Sequence, residues 1–150
     1  MTKKDDNSVP AFPQCFVCGT ENPHGLKLNF SLQNGKSETT FTGDSVHLGY
    51  ENVVHGGIIS AVLDDAIIWA VYASKKSLGM TAELTVRFLK PVPMSKEFLV
   101  QGELIQDKGR LWIGKGYMKD RDGKVYAEAS AKIVPLKNSN LTIGQIKKVN

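Results

Sequence analysis

The sequence "VVHGGIISAVLDDAIIWAVYA" (residues 53–73) joins a histidine and two glycines to a long apolar run. Within residues 58–73, the plainly polar positions are only Ser60, Asp64 and Asp65. A run of this length predicts one helix of about 24 Å, at about 1.5 Å per residue. Because that helix is apolar on nearly every side, other elements of the fold must surround it.

The sequence on both sides of the run predicts antiparallel strands. Before it, alternating residues 26–33 and 36–43 flank Asn34-Gly35, which predicts a hairpin, and residues 44–54 predict a loop. After it, alternating segments separated by proline or tight turns predict strands over 81–90, 97–106, 111–119 and 124–134. Tight turns join antiparallel strands, so the fold class is α+β, with a long central helix wrapped by a curved antiparallel sheet of about six strands. A second subunit could cover what the sheet leaves exposed.

Composition predicts a soluble cytoplasmic protein without a membrane or nucleic-acid partner. We expect one domain over 13–136, with a flexible segment over 1–12 and a polar tail over 137–150. The first nine residues lack the apolar core of a signal peptide, and the apolar run is shorter than the roughly 20 residues that a bilayer needs. A net charge of +4, with scattered lysines and arginines, is weak evidence for nucleic-acid binding but helps to attract an anionic small molecule.

The two cysteines, Cys15 and Cys18 in "CFVCG", supply half of a tetrahedral zinc site. His24 or a second subunit would have to complete it. The favoured interpretation is a pair of reduced thiols in a tight turn, so neither a metal nor a cofactor is expected. A redox role is disfavoured because a strand-rich segment, not a strand and then a helix, follows the pair.

The start of the helix has the features of a donor site. A glycine inside a helix costs about 1 kcal/mol relative to alanine, so Gly56 and Gly57 indicate a tight turn or the close approach of a ligand to the backbone. The first N–H groups of a helix have no internal acceptors and carry the positive end of its dipole. They would therefore stabilise an oxygen that gains negative charge, and His55 could hydrogen-bond the loop or polarise a ligand carbonyl.

Asp64 lies two turns beyond Gly57, on nearly the same face of the helix. Their separation along the axis is about 10 Å. A carbonyl bound by the Gly57 N–H can be attacked only by an atom within about 7 Å of that nitrogen, the sum of the hydrogen bond, the C=O bond and the attack distance. Gly57 and Asp64 of one chain are therefore too far apart to act on the same carbonyl. Two antiparallel helices across a twofold axis would instead place Gly57 of one subunit opposite Asp64 of the other. Such a dimer would have two equivalent sites.

The sequence "HGGIISAVLDD" resembles the HGG helix of the hotdog-fold acyl-CoA thioesterases, in particular the phenylacetate-pathway-like (PaaI-like) branch. The likeness extends from "CFVCGTENPHGLKL" through "TAELTVRFLKPVP" to "AEASAKIVP". In that branch the catalytic aspartate lies nine residues after the histidine, which falls on Asp64. The resemblance implies a hotdog fold, hydrolysis of an acyl-CoA substrate without a cofactor, and a homodimer or a dimer of dimers.

The resemblance also implies roles for individual residues. Asp64 would activate water or attack the thioester carbon, the N–H of Gly57 and also that of Gly56 would bind the oxyanion, and the Thr81 hydroxyl would orient the carboxylate or the water. The departing thiolate has a conjugate acid of pKa near 8.5, so no strong general acid is required.

Further candidates for substrate binding follow from residue type. Asp65 is the competing carboxylate; it lies about 100° from Asp64 around the helix, so only one of the two faces a given cleft. Basic residues are candidates to bind the adenine and phosphates of CoA: Arg87, Lys90, Arg110 and Lys115. Aromatic residues are candidates to line an acyl pocket, although such residues more often belong to a core or a subunit interface: Trp69, Tyr72 and Phe88.

Two other functions fit the same fold. One is a non-catalytic acyl-CoA-binding protein, which the residues suited to hydrolysis argue against. The other is a hotdog dehydratase or hydratase, which would pair a histidine with a carboxylate in differently spaced motifs that this sequence lacks. Medium or long fatty acyl groups and aryl-acetyl groups all suit an apolar pocket.

Overall fold

The computed structural model describes residues 12–136, and within this range one long helix packs against a curved sheet. The predicted N-terminal segment, apart from its last residue, and the predicted tail lie outside the described residues. The elements in chain order are β1 (Ser31–Gln33), β2 (Lys36–Thr42), α1 (Gly56–Lys75), β3 (Gly79–Phe88), β4 (Glu97–Asp107), β5 (Trp112–Lys119) and β6 (Val125–Pro135), with a 3-10 turn at Ser45–His47. The strand order is β1-β2-β4-β5-β6-β3.

The predicted architecture is confirmed. Every strand pair is antiparallel, and the sheet wraps around the helix as the hotdog resemblance implies. Asn34 and Gly35 have φ values of 53° and 71°, the positive values that a two-residue hairpin turn of type I′ requires. The helix is longer than the apolar run because the two glycines form its first turn and it continues to Lys75.

The predicted strand over residues 26–33 is too long. Only its last three residues pair with β2. Before them, the N–H groups of Leu26 and Leu28 donate to the carbonyl oxygens of Phe16 and Val17. The alternating pattern therefore indicates an extended segment, but its first part runs beside the loop that carries Cys15 and Cys18, called the cysteine loop below.

The helix packs on the concave face of the sheet at very short range. A Cβ atom at Gly102 of β4 would lie 2.2 Å from the carbonyl oxygen of Ala66 in α1, so only glycine fits there. The Ser37 hydroxyl donates to the same carbonyl oxygen. By length and composition α1 could cross a membrane, but half of its apolar stretch is buried, as in the core helix of a globular domain.

A bulge in β3 decides which face of the sheet Thr81 occupies. Leu84 pairs with the buried Ala131, and Thr81 pairs with the buried Ile133. Positions three apart on a regular strand point to opposite faces. The register shifts at Ala82, so the extra residue returns Thr81 to the face that carries Leu84. That face is the one covered by α1.

The strand β3 forms one edge of the sheet. Large apolar side chains at its two ends are exposed, with Met80 at 63% and Phe88 at 54%. A ten-residue edge strand presents a row of N–H and C=O groups that can pair with another chain. This edge is therefore a surface at which a second copy could extend the sheet.

Candidate active site

The histidine before α1 caps the helix through its side chain. His55 is the N-cap residue, and its Nδ1 accepts the N–H of Gly57 at 2.8 Å. This contact requires the proton of the neutral ring to be on Nε2. Within residues 12–136, the N–H of Gly56 has no acceptor. The free amide at the helix start is thus that of Gly56, whereas the sequence pointed first to Gly57.

A cleft of about 500 Å³ opens at this end of the helix. Its lining residues are Gly49, Tyr50, Val53, Val54, His55, Gly56, Ile59, Phe88, Leu89, Lys90, Pro91 and Val92. A Cβ atom at Gly56 would lie 3.2 Å from the Phe88 ring, so the glycine lets that ring pack against the first turn. The walls are largely apolar and the volume lies in the range of small-molecule sites, about 300–1,000 Å³.

Asp64 lies further along α1 and is held by Thr81. The Thr81 hydroxyl donates to Asp64 Oδ1 at 2.7 Å. Burial raises the pKa of Asp64, and the hydrogen bond from Thr81 opposes that shift. Eight residues separate Gly56 from Asp64, about 12 Å along the helix axis, and Asp64 is not part of the cleft lining. One chain therefore holds the amide and the carboxylate at two different places.

The neighbouring carboxylate has different surroundings. Trp69 Nε1–H donates to Asp65 Oδ2 at 3.1 Å, and the thiols of Cys15 and Cys18 lie beside it. Burial, followed by the charge of Cys15, raises the pKa of Asp65 to about 7. Trp69 is 2% exposed and stacks on Phe12 in the core. Neither of these predicted substrate-binding residues lines the cleft at Gly56.

Three of the four basic candidates line cavities and fall into two groups, whereas Arg110 is exposed in the turn between β4 and β5. Lys90 lines the cleft, and the closeness of Lys124 lowers its pKa. Arg87 pairs with Glu128 at 2.9 Å and shares a second cavity of about 210 Å³ with Lys115. Two neighbouring ammonium groups near the cleft repel each other, so an anionic group bound between them would be stabilised.

Residues 51–127 match the sequence profile of the Thioesterase superfamily, just over half of the chain. The chain belongs to the thioesterase superfamily. It is 29% identical over 118 residues to the acyl-coenzyme A thioesterase THEM4 of Mus musculus, a match that covers 75% of this chain and 50% of that protein. The chain thus spans about half the length of the curated relatives that it matches.

Solved structures share the fold of this superfamily member. A crystal structure of a thioesterase superfamily protein has a TM-score of 0.75 and 27% identity, with 81% of this chain and 60% of that chain covered. PaaI of E. coli has a TM-score of 0.69 at 16% identity, and the match covers 76% of this chain and 83% of PaaI. The protein smu.793 of Streptococcus mutans, solved with acetyl CoA bound, has a TM-score of 0.66 at 19% identity, and the match covers 73% of this chain and 88% of smu.793. The hotdog fold that the PaaI-like resemblance predicts is confirmed.

Two walls of the cleft in this thioesterase-superfamily chain could not be predicted from the sequence. Residues 89–92 and the loop over 49–54 form two of its walls. They are brought together by the bridge between Val53 and Pro93 and by the N–H of Val54, which donates to the Val92 carbonyl. These contacts join segments that are distant in sequence. The local signals were the position of the loop directly before the HGG sequence and the basic side chain of Lys90.

Thr81→Val is expected to raise the pKa of the Asp64 carboxyl. The hydroxyl donates to that carboxylate and stabilises its ionised form, so its loss leaves the effect of burial unopposed. The measurement is the pH titration of the Asp64 carboxyl carbon by NMR, with Thr85→Val as the control because Thr85 is an exposed threonine of the same strand. An unchanged titration of Asp64 in Thr81→Val would show that the hydroxyl does not reach this carboxylate in solution.

Proposed function

We propose that this protein hydrolyses acyl-CoA thioesters to a free acid and CoA, at two sites shared between the subunits of a homodimer. The observation that carries the proposal is the separation of two complementary groups along α1. A free helix amide at Gly56 faces an apolar cleft, and a carboxylate at Asp64 is held by Thr81 outside that cleft. Membership of the thioesterase superfamily supplies the reaction class.

The chemistry follows from these groups. The thioester carbonyl oxygen accepts the N–H of Gly56 at the positive end of the helix dipole, which stabilises the negative charge that develops there. Asp64 of the second copy then activates a water molecule or attacks the carbonyl carbon itself. In the first route, water forms the new C–O bond and gives a proton to Asp64, the C–S bond breaks, and the CoA thiolate leaves and takes up that proton. In the second route, Asp64 forms the C–O bond as the C–S bond breaks, and water then hydrolyses the resulting anhydride, which releases the free acid, regenerates Asp64 and supplies the proton of the CoA thiol.

The donor in this proposal is Gly56, with Gly57 in a supporting role. The Gly57 N–H already donates to His55 Nδ1, so it stabilises the first turn and fixes the orientation of the imidazole. His55 thereby acts as a positioning residue, because it shapes the turn that presents the Gly56 amide. The N–H of Gly57 would reach a ligand only if the imidazole turned away.

Acyl-CoA as the substrate is supported by the character of the cleft. Val54, Ile59 and Phe88 offer apolar walls for an acyl chain, while Lys90 and Lys124 place positive charge near it for the phosphates of CoA. The relative THEM4 is named an acyl-coenzyme A thioesterase, and smu.793 was solved with acetyl CoA bound. We also propose that the protein lies in the cytoplasm, where acyl-CoA esters are present and where free thiols such as those of Cys15 and Cys18 stay reduced.

A dimer is required because one chain cannot bring Gly56 and Asp64 to a single carbonyl. The edge of β3, which pairs with no other strand within residues 12–136, supports it, since pairing with the same edge of a second copy would be antiparallel and would satisfy the twofold axis. The exposed Met80 and Phe88 side chains at the ends of that edge would be covered by the same contact. Pairing of dimers into a tetramer rests on the family resemblance alone.

The test has two parts, beginning with a panel of short, medium, long and aryl-acetyl CoA esters assayed with a thiol reagent. We expect thiol release from at least one ester. Tight binding without release would instead indicate a non-catalytic acyl-CoA-binding protein.

The second part mixes two variants that we expect to be inactive alone. Gly56→Val blocks the cleft in its own chain, and Asp64→Asn removes the carboxylate. After subunit exchange, about a quarter of the parent activity should return, because half of the dimers are mixed and each has one intact site of two. Failure to recover activity, with subunit exchange verified, would place both groups of each site in one chain.

A further inference from the structure

The cysteine loop and the central helix meet at a cluster of three potential metal ligands. The Sγ atoms of Cys15 and Cys18 and a carboxylate oxygen of Asp65 all lie within 4.8 Å of one another. We propose that these three residues bind one zinc ion, which fastens the N-terminal loop to α1. The proposal is independent of the proposed hydrolysis, because none of the three residues lines the cleft at Gly56.

The loop is shaped to bring the two sulfur atoms together. A Cβ atom at Gly19 would lie 2.5 Å from the backbone nitrogen and oxygen of Cys15, so the turn closes only with glycine. The N–H of Gly19 donates to the Cys15 carbonyl at 3.0 Å, and that of Cys18 donates to Cys15 Sγ at 3.4 Å. Both side chains therefore leave a tight turn towards the same side, and the backbone stabilises a thiolate at Cys15.

The helix provides an oriented third ligand. Asp65 is a partly buried carboxylate of α1, and Trp69 Nε1–H donates to its Oδ2 atom at 3.1 Å. Carboxylates that bind metals are commonly oriented by such a hydrogen bond. In a tetrahedral zinc site, with Zn–S of about 2.3 Å and Zn–O of about 2.0 Å, the ligand atoms lie about 3.5–3.8 Å apart. The cluster needs to contract by only about 1 Å, and water would occupy the fourth position.

Charge and ligand type favour zinc. Three acidic groups in one partly buried place repel each other once ionised, and a divalent cation removes that repulsion. Thiolates select zinc over magnesium and calcium, which prefer oxygen ligands.

The cluster changes two expectations from the sequence. His24, considered as a third ligand, is not part of it; the backbone N–H of His24 donates to Asn22 in the adjoining turn. The pair of reduced thiols instead gains a carboxylate from α1. Asp65, left by the sequence as a competitor of Asp64, thereby acquires a role of its own.

The test measures zinc and cobalt in the full chain, purified under reducing conditions without a chelator. We expect one zinc per chain by elemental analysis, and with Co²⁺ an absorption spectrum with sulfur-to-cobalt charge-transfer bands. Asp65→Asn should weaken zinc binding more than about 100-fold, since loss of a group that merely orients a ligand already costs about 10–100-fold. Asp64→Asn is the matched control and should bind zinc like the parent chain.

Stability provides a second measurement that does not depend on the variants folding equally well. A ligand that binds the folded state stabilises it, so a chelator should lower the Tm of the parent but not that of Asp65→Asn. The proposal is wrong if the parent has two free thiols and neither retains zinc nor gives the cobalt spectrum. It is also wrong if the intact mass of the purified chain shows a disulfide between Cys15 and Cys18, or if Asp65→Asn binds zinc as tightly as the parent. Because Asp64→Asn should lose hydrolysis but keep zinc, failure of this proposal is distinguishable from failure of the proposed function.

Discussion

Asp64→Asn is expected to lower kcat about 10³-fold or more while leaving acyl-CoA binding nearly unchanged. The amide can neither accept a proton from water nor attack the thioester, and general base catalysis contributes about 10²–10⁴-fold. The amide oxygen can still accept the Thr81 hydroxyl, so the substitution preserves the contact between α1 and β3. The measurement is steady-state thiol release, together with calorimetric binding of a non-hydrolysable thioether analogue of the best ester.

The control for this prediction is Asp65→Asn, the same substitution at the next residue of the helix. Asp65 faces Trp69 and the cysteine loop, so we expect its variant to lose less than about tenfold in kcat per folded molecule. The opposite pattern, with hydrolysis retained in Asp64→Asn and lost in Asp65→Asn, would show that the reacting carboxylate is Asp65.

Gly102→Ala is expected to destabilise the fold by about 3 kcal/mol or more, at the upper end of what overpacking costs. The added methyl group would lie 2.2 Å from the carbonyl oxygen of Ala66 and 2.6 Å from its carbonyl carbon. Both are backbone atoms of α1, so no side chain can rotate away and the helix must leave the sheet. The measurement is the midpoint of urea unfolding, where a loss of this size is a large part of a typical total of about 5–15 kcal/mol.

Gly116 offers a matched control for this substitution. It lies directly opposite Gly102 in the register of β4 and β5, but its added Cβ would approach the Ile67 side chain at 3.2 Å and the Leu63 carbonyl oxygen at 3.3 Å. A shift of a few tenths of an ångström relieves such contacts, so we expect a loss below about 1 kcal/mol. Equal losses at the two glycines would mean that the helix is not held against β4 as closely as the structure places it.

The fold was readable from the sequence because its signals are local. The length of the apolar run and the alternation around Asn34-Gly35 each depend on consecutive residues, and both the helix and the hairpin turn are present in the structure. The segment over 26–30 was misassigned because alternation reports an extended backbone and not its partner. That partner is the cysteine loop, and only the folded chain brings the two together.

The candidate site was readable in part for the same reason. The HGG sequence and the spacing to Asp64 are local features. The hydrogen bond from the Gly57 N–H to His55 depends on the rotamer of His55, which the sequence does not reveal. That hydrogen bond leaves the N–H of Gly56 as the available donor. The contact of Thr81 with Asp64 was implied only by the family resemblance. The surroundings of Asp65 depend on a loop far away in the chain, so no spacing within the helix could reveal them.

The irregularity at Ala82 has a consequence for any attempt to alter this protein. An engineer who straightened β3 by deleting that residue would gain an uninterrupted ladder of backbone hydrogen bonds with β6. The same deletion would turn the Thr81 hydroxyl to the outer surface, or else rotate Leu84 and Val86 out of the interior. A regular β3 strand therefore cannot bury Leu84 and Val86 and also present the Thr81 hydroxyl to Asp64. Removing the bulge while keeping the core packed would leave Asp64 without its hydroxyl partner.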